Sequence, residues 1–230
     1  MPKPTLPKPT ASEWLERRVP LNPPDSPGEE FTSAITHGLG ALASLLGSVL
    51  LIVKASSYGT VATVLGVTVF GLSMVVLYSA SCLYHSARQP TFRRLARIID
   101  HGSIYLLIAG TYTPITLMIG GAWGWTLFAI VWACASIGIV LEVFKMKKSK
   151  LASLAIYVTM GWIVVVAWSP LKAAVPARLL DWMLAGGVTY TLGTPFYALR
   201  SLKYHHALWH LFVLGGSTLF WFGIYFHACP

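Results

Sequence analysis

Asp, Glu, Lys and Arg fall in short clusters along the chain, and six long stretches contain none of them: 31–53, 55–87, 101–141, 151–171, 182–199 and 204–230. About 20 apolar residues suffice for one helix to cross a bilayer core. The stretch 101–141 is about twice that length. Its middle reads Gly120-Gly121-Ala122-Trp123-Gly124, a turn signal beside a tryptophan suited to a membrane interface. It therefore divides, and the pattern predicts an all-α bundle of seven transmembrane helices at about 32–53, 60–84, 100–119, 123–142, 151–170, 180–199 and 207–228. The runs are continuously apolar, without the ten-residue alternation of a transmembrane β-barrel.

Composition agrees with this pattern. Charged residues are 11% of the 230 and hydrophobic residues 55%, whereas a soluble domain is roughly 25% charged. Too little polar surface exists to face water, and the hydrophobicity excludes a disordered chain. The 17 basic residues then give an orientation. Fourteen lie in the N-terminal segment and in the loops after the second, fourth and sixth spans; Lys54, Lys172 and Arg178 lie on the other side. The positive-inside rule places the N-terminus in the cytoplasm and the C-terminus outside, as an odd number of spans requires. The net charge of +9 reads as this topology signal and as attraction to anionic lipid. The basic residues are dispersed over membrane loops, which argues against a nucleic-acid role.

Residues 1–30 carry eight of the 14 prolines and no apolar run, so they read as a polar cytoplasmic tail ahead of a membrane domain at 31–230. Glu13 to Arg18, with Trp14 and Leu15, admit one or two helical turns along the interface; an unstructured tail is the simpler reading. Cys82, Cys134 and Cys229 show no metal-type spacing and imply no disulfide.

Ionisable groups in or beside spans are costly unless used or paired. His37, His85, His101, His205, His206 and His210 all fall at the cytoplasmic ends of the predicted helices, and His227 falls at the outer end. His206 and His210 are four apart, so one helical face carries both, one turn apart. This is how one helix gives two ligands to a metal, and imidazole suits zinc. The third imidazole must come from another helix. His85 is the preferred source, because Ser81 lies one turn before it and could hold a water or a substrate oxygen. Cys82 is a softer alternative. Asp100, the sole acid between 31 and 141, could be a general base or an outer partner of the site; helix capping is the other reading. Glu30, Ser33 and His37 form a stripe that could support the site through hydrogen bonds.

Four elements now stand in order: Glu30 to Gly38 with its Thr-His-Gly ending, Ser81-x3-His85, Asp100-His101-Gly-Ser-Ile-Tyr running into Ala109-Gly-Thr-Tyr-Thr-Pro114, and His206-x3-His210. Together they resemble the hemolysin III family, the bacterial branch of the progestin and adipoQ receptor (PAQR) proteins, over roughly residues 29–228. Ser33 stands where that family's first element usually carries Asn. The resemblance implies a seven-helix bundle in a bacterial cytoplasmic membrane. It implies zinc near the cytoplasmic face, held by His85, His206 and His210, with a water held by Asp100 and with Ser81 nearby. The wider superfamily is similar to alkaline ceramidases, which hydrolyse a lipid amide with the same set of residues.

Three functions follow as expectations. One is a zinc-dependent hydrolase of a membrane-lipid amide or ester. Another is a sensor of lipid state, with zinc as a staple. The third is a lytic protein, suggested only by the family name; its polar residues gather at one end rather than along a pore.

Overall fold

The computed structural model describes residues 10–19, 21, 25–144, 150–199 and 201–228. Cys229 and the basic residues Lys3, Lys8, Lys145, Lys147, Lys148 and Arg200 lie outside the described residues. The described chain is helical: α1 Ala11–Arg18, α2 Pro27–Tyr58, α3 Val61–Ser86, α4 Pro90–Ile119, α5 Gly121–Val143, α6 Lys150–Trp162, a 3-10 turn Ile163–Ala167, α7 Trp168–Ala174, α8 Ala177–Ala198 and α9 His205–His227. Among the described residues, six segments are long and apolar enough to cross a membrane: α2, α3, α4, α5, the combined 151–174 stretch and α9. The remaining predicted span is the 22-residue helix α8.

Local chemistry sets the helix ends. Ser26 caps α2 reciprocally with Glu29, with Pro27 in the first turn, satisfying amides that have no partner within the helix. The 101–141 stretch divides at Gly120 and Gly121, where φ is +59° and +52°. Gly120 pairs its φ with ψ −165°, a combination open in practice only to glycine. The third helix is longer than expected: α4 begins at Pro90, so Arg93, Arg94 and Arg97 form its first turns.

The tail segment takes the helical option. Thr10 and Glu13 form a capping box at the start of α1. Leu15 and Val19 are buried, and Arg94 Nε donates to the Val19 carbonyl at 3.3 Å. The tail is thereby fastened to α4.

Helix α4 is the centre of the bundle: 67% of its most apolar window is buried, against 22% for α5 and for 151–174. The main core joins α2, α3, α4 and α9 through residues such as Leu51, Phe70, Tyr78, Leu107, Val213 and Ile224, with Leu171 of α7 and Leu179 of α8 packed into the same cluster. A smaller one joins α4, α5 and α6 through Tyr105, Tyr112, Val131 and Tyr157. Helices α3 and α4 meet closely where Gly66 lies against Pro114; a Cβ there would come within 2.8 Å of the proline Cα. Outward faces carry Leu39, Leu42, Leu46 and Leu50, all exposed, as a lipid-facing surface should.

Several polar groups inside the bundle pair with one another, as hydrocarbon favours. Tyr78 Oη donates to Ser217 Oγ at 2.6 Å, and Tyr190 Oη lies 2.8 Å from the same oxygen, linking α3, α8 and α9. The predicted span 151–170 is helical but broken. At the break, Tyr112 Oη accepts from Val164 N at 3.0 Å and donates to the Gly161 carbonyl at 2.8 Å. One side chain thus serves a donor and an acceptor exposed by the change of helix type.

Candidate metal centre

The alternating helices bring the start of α2, the end of α3, the first third of α4 and the start of α9 to one end of the bundle. There His85, His206 and His210 form a group whose ligand atoms all lie within 4.8 Å of one another. Two come from successive turns of α9 and the third from the last turn of α3. Ring centroids are 4.7 Å apart for His206–His210, 4.8 Å for His85–His206 and 5.1 Å for His85–His210. His85 and His210 are buried, while His206 retains some exposure.

Hydrogen bonds fix which nitrogen faces the group. His85 Nδ1 lies 2.7 Å from Glu30 Oε2; the N–H donates to the carboxylate and leaves Nε2 with its lone pair. That Nε2 is buried and has no partner among the described residues. His210 Nδ1 lies 3.2 Å from the Ser33 carbonyl, again as donor, with Thr36 Oγ1 also at 3.2 Å. An outer partner on one ring nitrogen, with the other left bare, is the arrangement metal-binding histidines use. Bonds of about 2.0–2.1 Å to a tetrahedral ion place the nitrogens roughly 3.3 Å apart, so a small inward closure of the three rings would complete a site. The donor set therefore fits a metal ion.

Glu30 has two tasks: its second oxygen pairs with Arg93. Arg93 also lies over the Tyr84 ring, 4.8 Å from its centroid, and donates to the Ala87 carbonyl at 3.3 Å. The chain Arg93–Glu30–His85 thus runs across α4, α2 and α3. In the sequence Arg93 reads as one of the topology-setting basic residues; its signal there is its place one helical turn before Arg97 and two before Asp100. Glu29, not singled out either, accepts from the Tyr204 amide at 2.8 Å. It holds the entry to α9, where Tyr204 has φ +58°.

The supporting residues divide. Asp100 is buried and sits ten residues past Pro90, nearly three turns into α4, so helix capping does not explain it. Its Oδ2 lies 3.2 Å from His101 Nδ1, an ion-pair distance whose geometry falls short of a hydrogen bond. Ser33 contributes a backbone carbonyl to His210, a role in which its side chain takes no part. Cys82 is outside the metal-capable group; it lies against α2, where a Cβ on Gly38 would be 3.3 Å from its Sγ. His205 turns aside, its Nδ1 2.9 Å from the Phe196 carbonyl. His37 stacks on His210 with centroids 3.5 Å apart and ring planes within 11°, and neither of its nitrogens has a partner among the described residues.

Ser81, Asp100, His101, His206 and His210 line one end of a cavity of about 120 Å³. Its walls continue as Ile104, Leu107, Val158, Trp162 and Phe220, deep between α4, α6, α8 and α9. A second cavity of about 70 Å³ shares Thr111, Tyr112, Gly161, Trp162 and Phe220 with it. The space is thus polar at the histidines and apolar for the rest of its length.

These features define an all-helical, multi-pass integral membrane protein with a buried tri-histidine group able to hold a metal ion. Residues 26–221 match the family described as "Haemolysin-III related", and the chain belongs to that family. It is 44% identical to "Hemolysin-3" of Bacillus cereus over 203 residues, covering 88% of this chain and 93% of that one. To the "Hemolysin-3 homolog" of Bacillus subtilis (strain 168) it is 42% identical over 201 residues, 87% and 94% of the two chains. A distant likeness, 24% over 224 residues and 92% and 90% of the chains, reaches the human "Monocyte to macrophage differentiation factor". The family resemblance drawn from the four sequence elements therefore holds.

Proposed function

We propose that the protein is a zinc-dependent intramembrane hydrolase of a lipid amide or ester, crossing a bacterial cytoplasmic membrane seven times with its N-terminus inside. The observation that carries this reading is one cavity with two chemistries. His206, His210, Asp100 and Ser81 stand at its polar end, and an apolar corridor suited to an acyl chain leads away from them. The 14-to-3 distribution of basic residues and the 22-residue length of α8 support the topology.

Zinc, held by His85, His206 and His210, would supply Lewis acidity to the carbonyl and make water a competent nucleophile near neutral pH. The chain's own residues divide the remaining work. Asp100 takes a proton from the attacking water at its carboxylate. Ser81 donates its hydroxyl hydrogen to the carbonyl oxygen as charge develops there. Water adds to the carbonyl carbon, the bond to nitrogen or oxygen breaks as Asp100 passes its proton to the leaving group, and a fatty acid and an amine or alcohol leave. Glu30 orients His85, and Arg93 keeps the Glu30 carboxylate paired.

The test is to purify the protein in detergent, measure bound metal, and assay fatty-acid release from a panel of ceramides and phospholipids. Wild type should carry about one equivalent of zinc and release fatty acid. Asp100→Asn should keep the metal and lose turnover by about 100-fold or more; unchanged turnover would remove Asp100 from the chemistry. A second reading draws on the way the histidines and Glu30 tie α2, α3 and α9 together: a lipid sensor stapled by zinc. Metal at one equivalent with no release from any lipid would favour it.

A further inference from the structure

His37 is the buried polar group left over by the metal centre. It is 3% exposed, lines the cavity that holds Asp100, Ser81, His206 and His210, and offers two nitrogens with no partner among the described residues. Buried polar atoms almost always have partners, so its placement calls for a ligand.

That ligand is not the ion bound by His210. An imidazole donates its lone pair in the plane of its ring. The His37 and His210 planes are within 11° of parallel, with centroids 3.5 Å apart, so no single ion can lie in both. The other aromatic neighbour, Tyr78, meets His37 edge-on at 4.9 Å, and its hydroxyl is committed to Ser217. The stack and the edge contact hold the ring on both sides while leaving its nitrogens free. A ring fixed this way is a pre-oriented hydrogen-bonding group at the polar end of an apolar cavity.

We propose that His37 recognises the polar head of the lipid, its ring N–H donating to an oxygen of the acyl carbonyl or carboxylate beside the metal centre. Neutral imidazole carries one donor and one acceptor. Beside the Ser81 hydroxyl, the donor adds a second hydrogen for a substrate oxygen, which the three metal-facing nitrogens and the Asp100 carboxylate cannot supply. His37 is then a binding residue that sets how far the acyl chain enters the corridor. This assignment rests on the lipid reading of the cavity, and the test separates the two.

The zinc-loaded protein in detergent is titrated with oleic acid, the product class, and with 1-octadecene, a chain of similar length without an oxygen. Wild type should bind oleic acid more tightly than 1-octadecene. His37→Phe keeps a flat ring for the stack and removes both nitrogens. It should weaken oleic acid binding by about tenfold, the scale of one hydrogen bond, while 1-octadecene affinity and metal content stay at wild-type values. His37→Gln, which retains a donor, should recover part of the loss. Equal oleic acid binding by wild type and His37→Phe would overturn the assignment and leave the lipid reading standing. Loss of metal, or equal weakening toward both probes, would overturn it by showing a structural role. Failure of wild type to bind oleic acid would remove the lipid reading, and this assignment with it. If His37→Phe does not fold, the same comparison is made between His37→Leu and His37→Gln.

Discussion

Two sides of the bundle are built differently. On one side α2, α3, α4 and α9 supply most of the main core, α3 and α4 cross closely at Gly66 and Pro114, and α2, α3 and α9 carry Glu30 and the three histidines. On the other, 151–174 is broken by a 3-10 turn, and only 22% of its most apolar window is buried. Both cavities lie against this second side. The first arrangement suits a site whose ligand atoms must be held in register across helices. The second suits a wall that must admit a chain-like molecule. A helix change of this kind is tolerated in hydrocarbon only where the freed backbone groups find partners, and Tyr112 is that partner.

The largest effect that would sharpen this contrast lies at the rigid side. His210→Ala removes one of two ligands supplied by α9 and should abolish stoichiometric zinc binding, read as metal content after purification. Full zinc occupancy in that variant would break the comparison, because the close-packed side would then not be the metal's holder. Glu30→Gln comes next. It keeps the shape but withdraws the negative charge from both His85 and Arg93, and should weaken zinc affinity by about 10–100-fold in a chelator competition. The smallest effect belongs to the broken side. Tyr112→Phe leaves the Val164 amide and the Gly161 carbonyl without their shared partner and should lower thermal stability by about 1–3 kcal/mol. Zinc affinity should not change; a parallel loss of metal would show that the two sides act as one unit.

Much of the site was legible before the fold. The apolar runs were readable because hydrocarbon dictates segment length, and the Gly120–Gly121 division because positive φ favours glycine. His206 and His210 were readable as a pair because helical spacing is a local property. His85 was chosen as the third member on the strength of its neighbour Ser81, and it does join the group. Other features depended on distant contacts. Glu30 was expected to support the site, but its bridge from His85 to Arg93 spans three helices. His37 reads in the sequence as a supporting group of the site through hydrogen bonds; only the packing shows that it stacks on His210 and that its nitrogens meet no partner among the described residues.

The sequence by itself determined the solvent, the helical class and the residue types gathered at one end. Each follows from local rules, namely the cost of charge in lipid and the period of a helix. Only the tertiary structure decided the partners of Glu30, the service Tyr112 gives to the broken helix, the position of Asp100 deep in α4 and the isolation of His37. Those depend on how helices far apart in the chain rotate and pack against one another, and no local pattern carries that information.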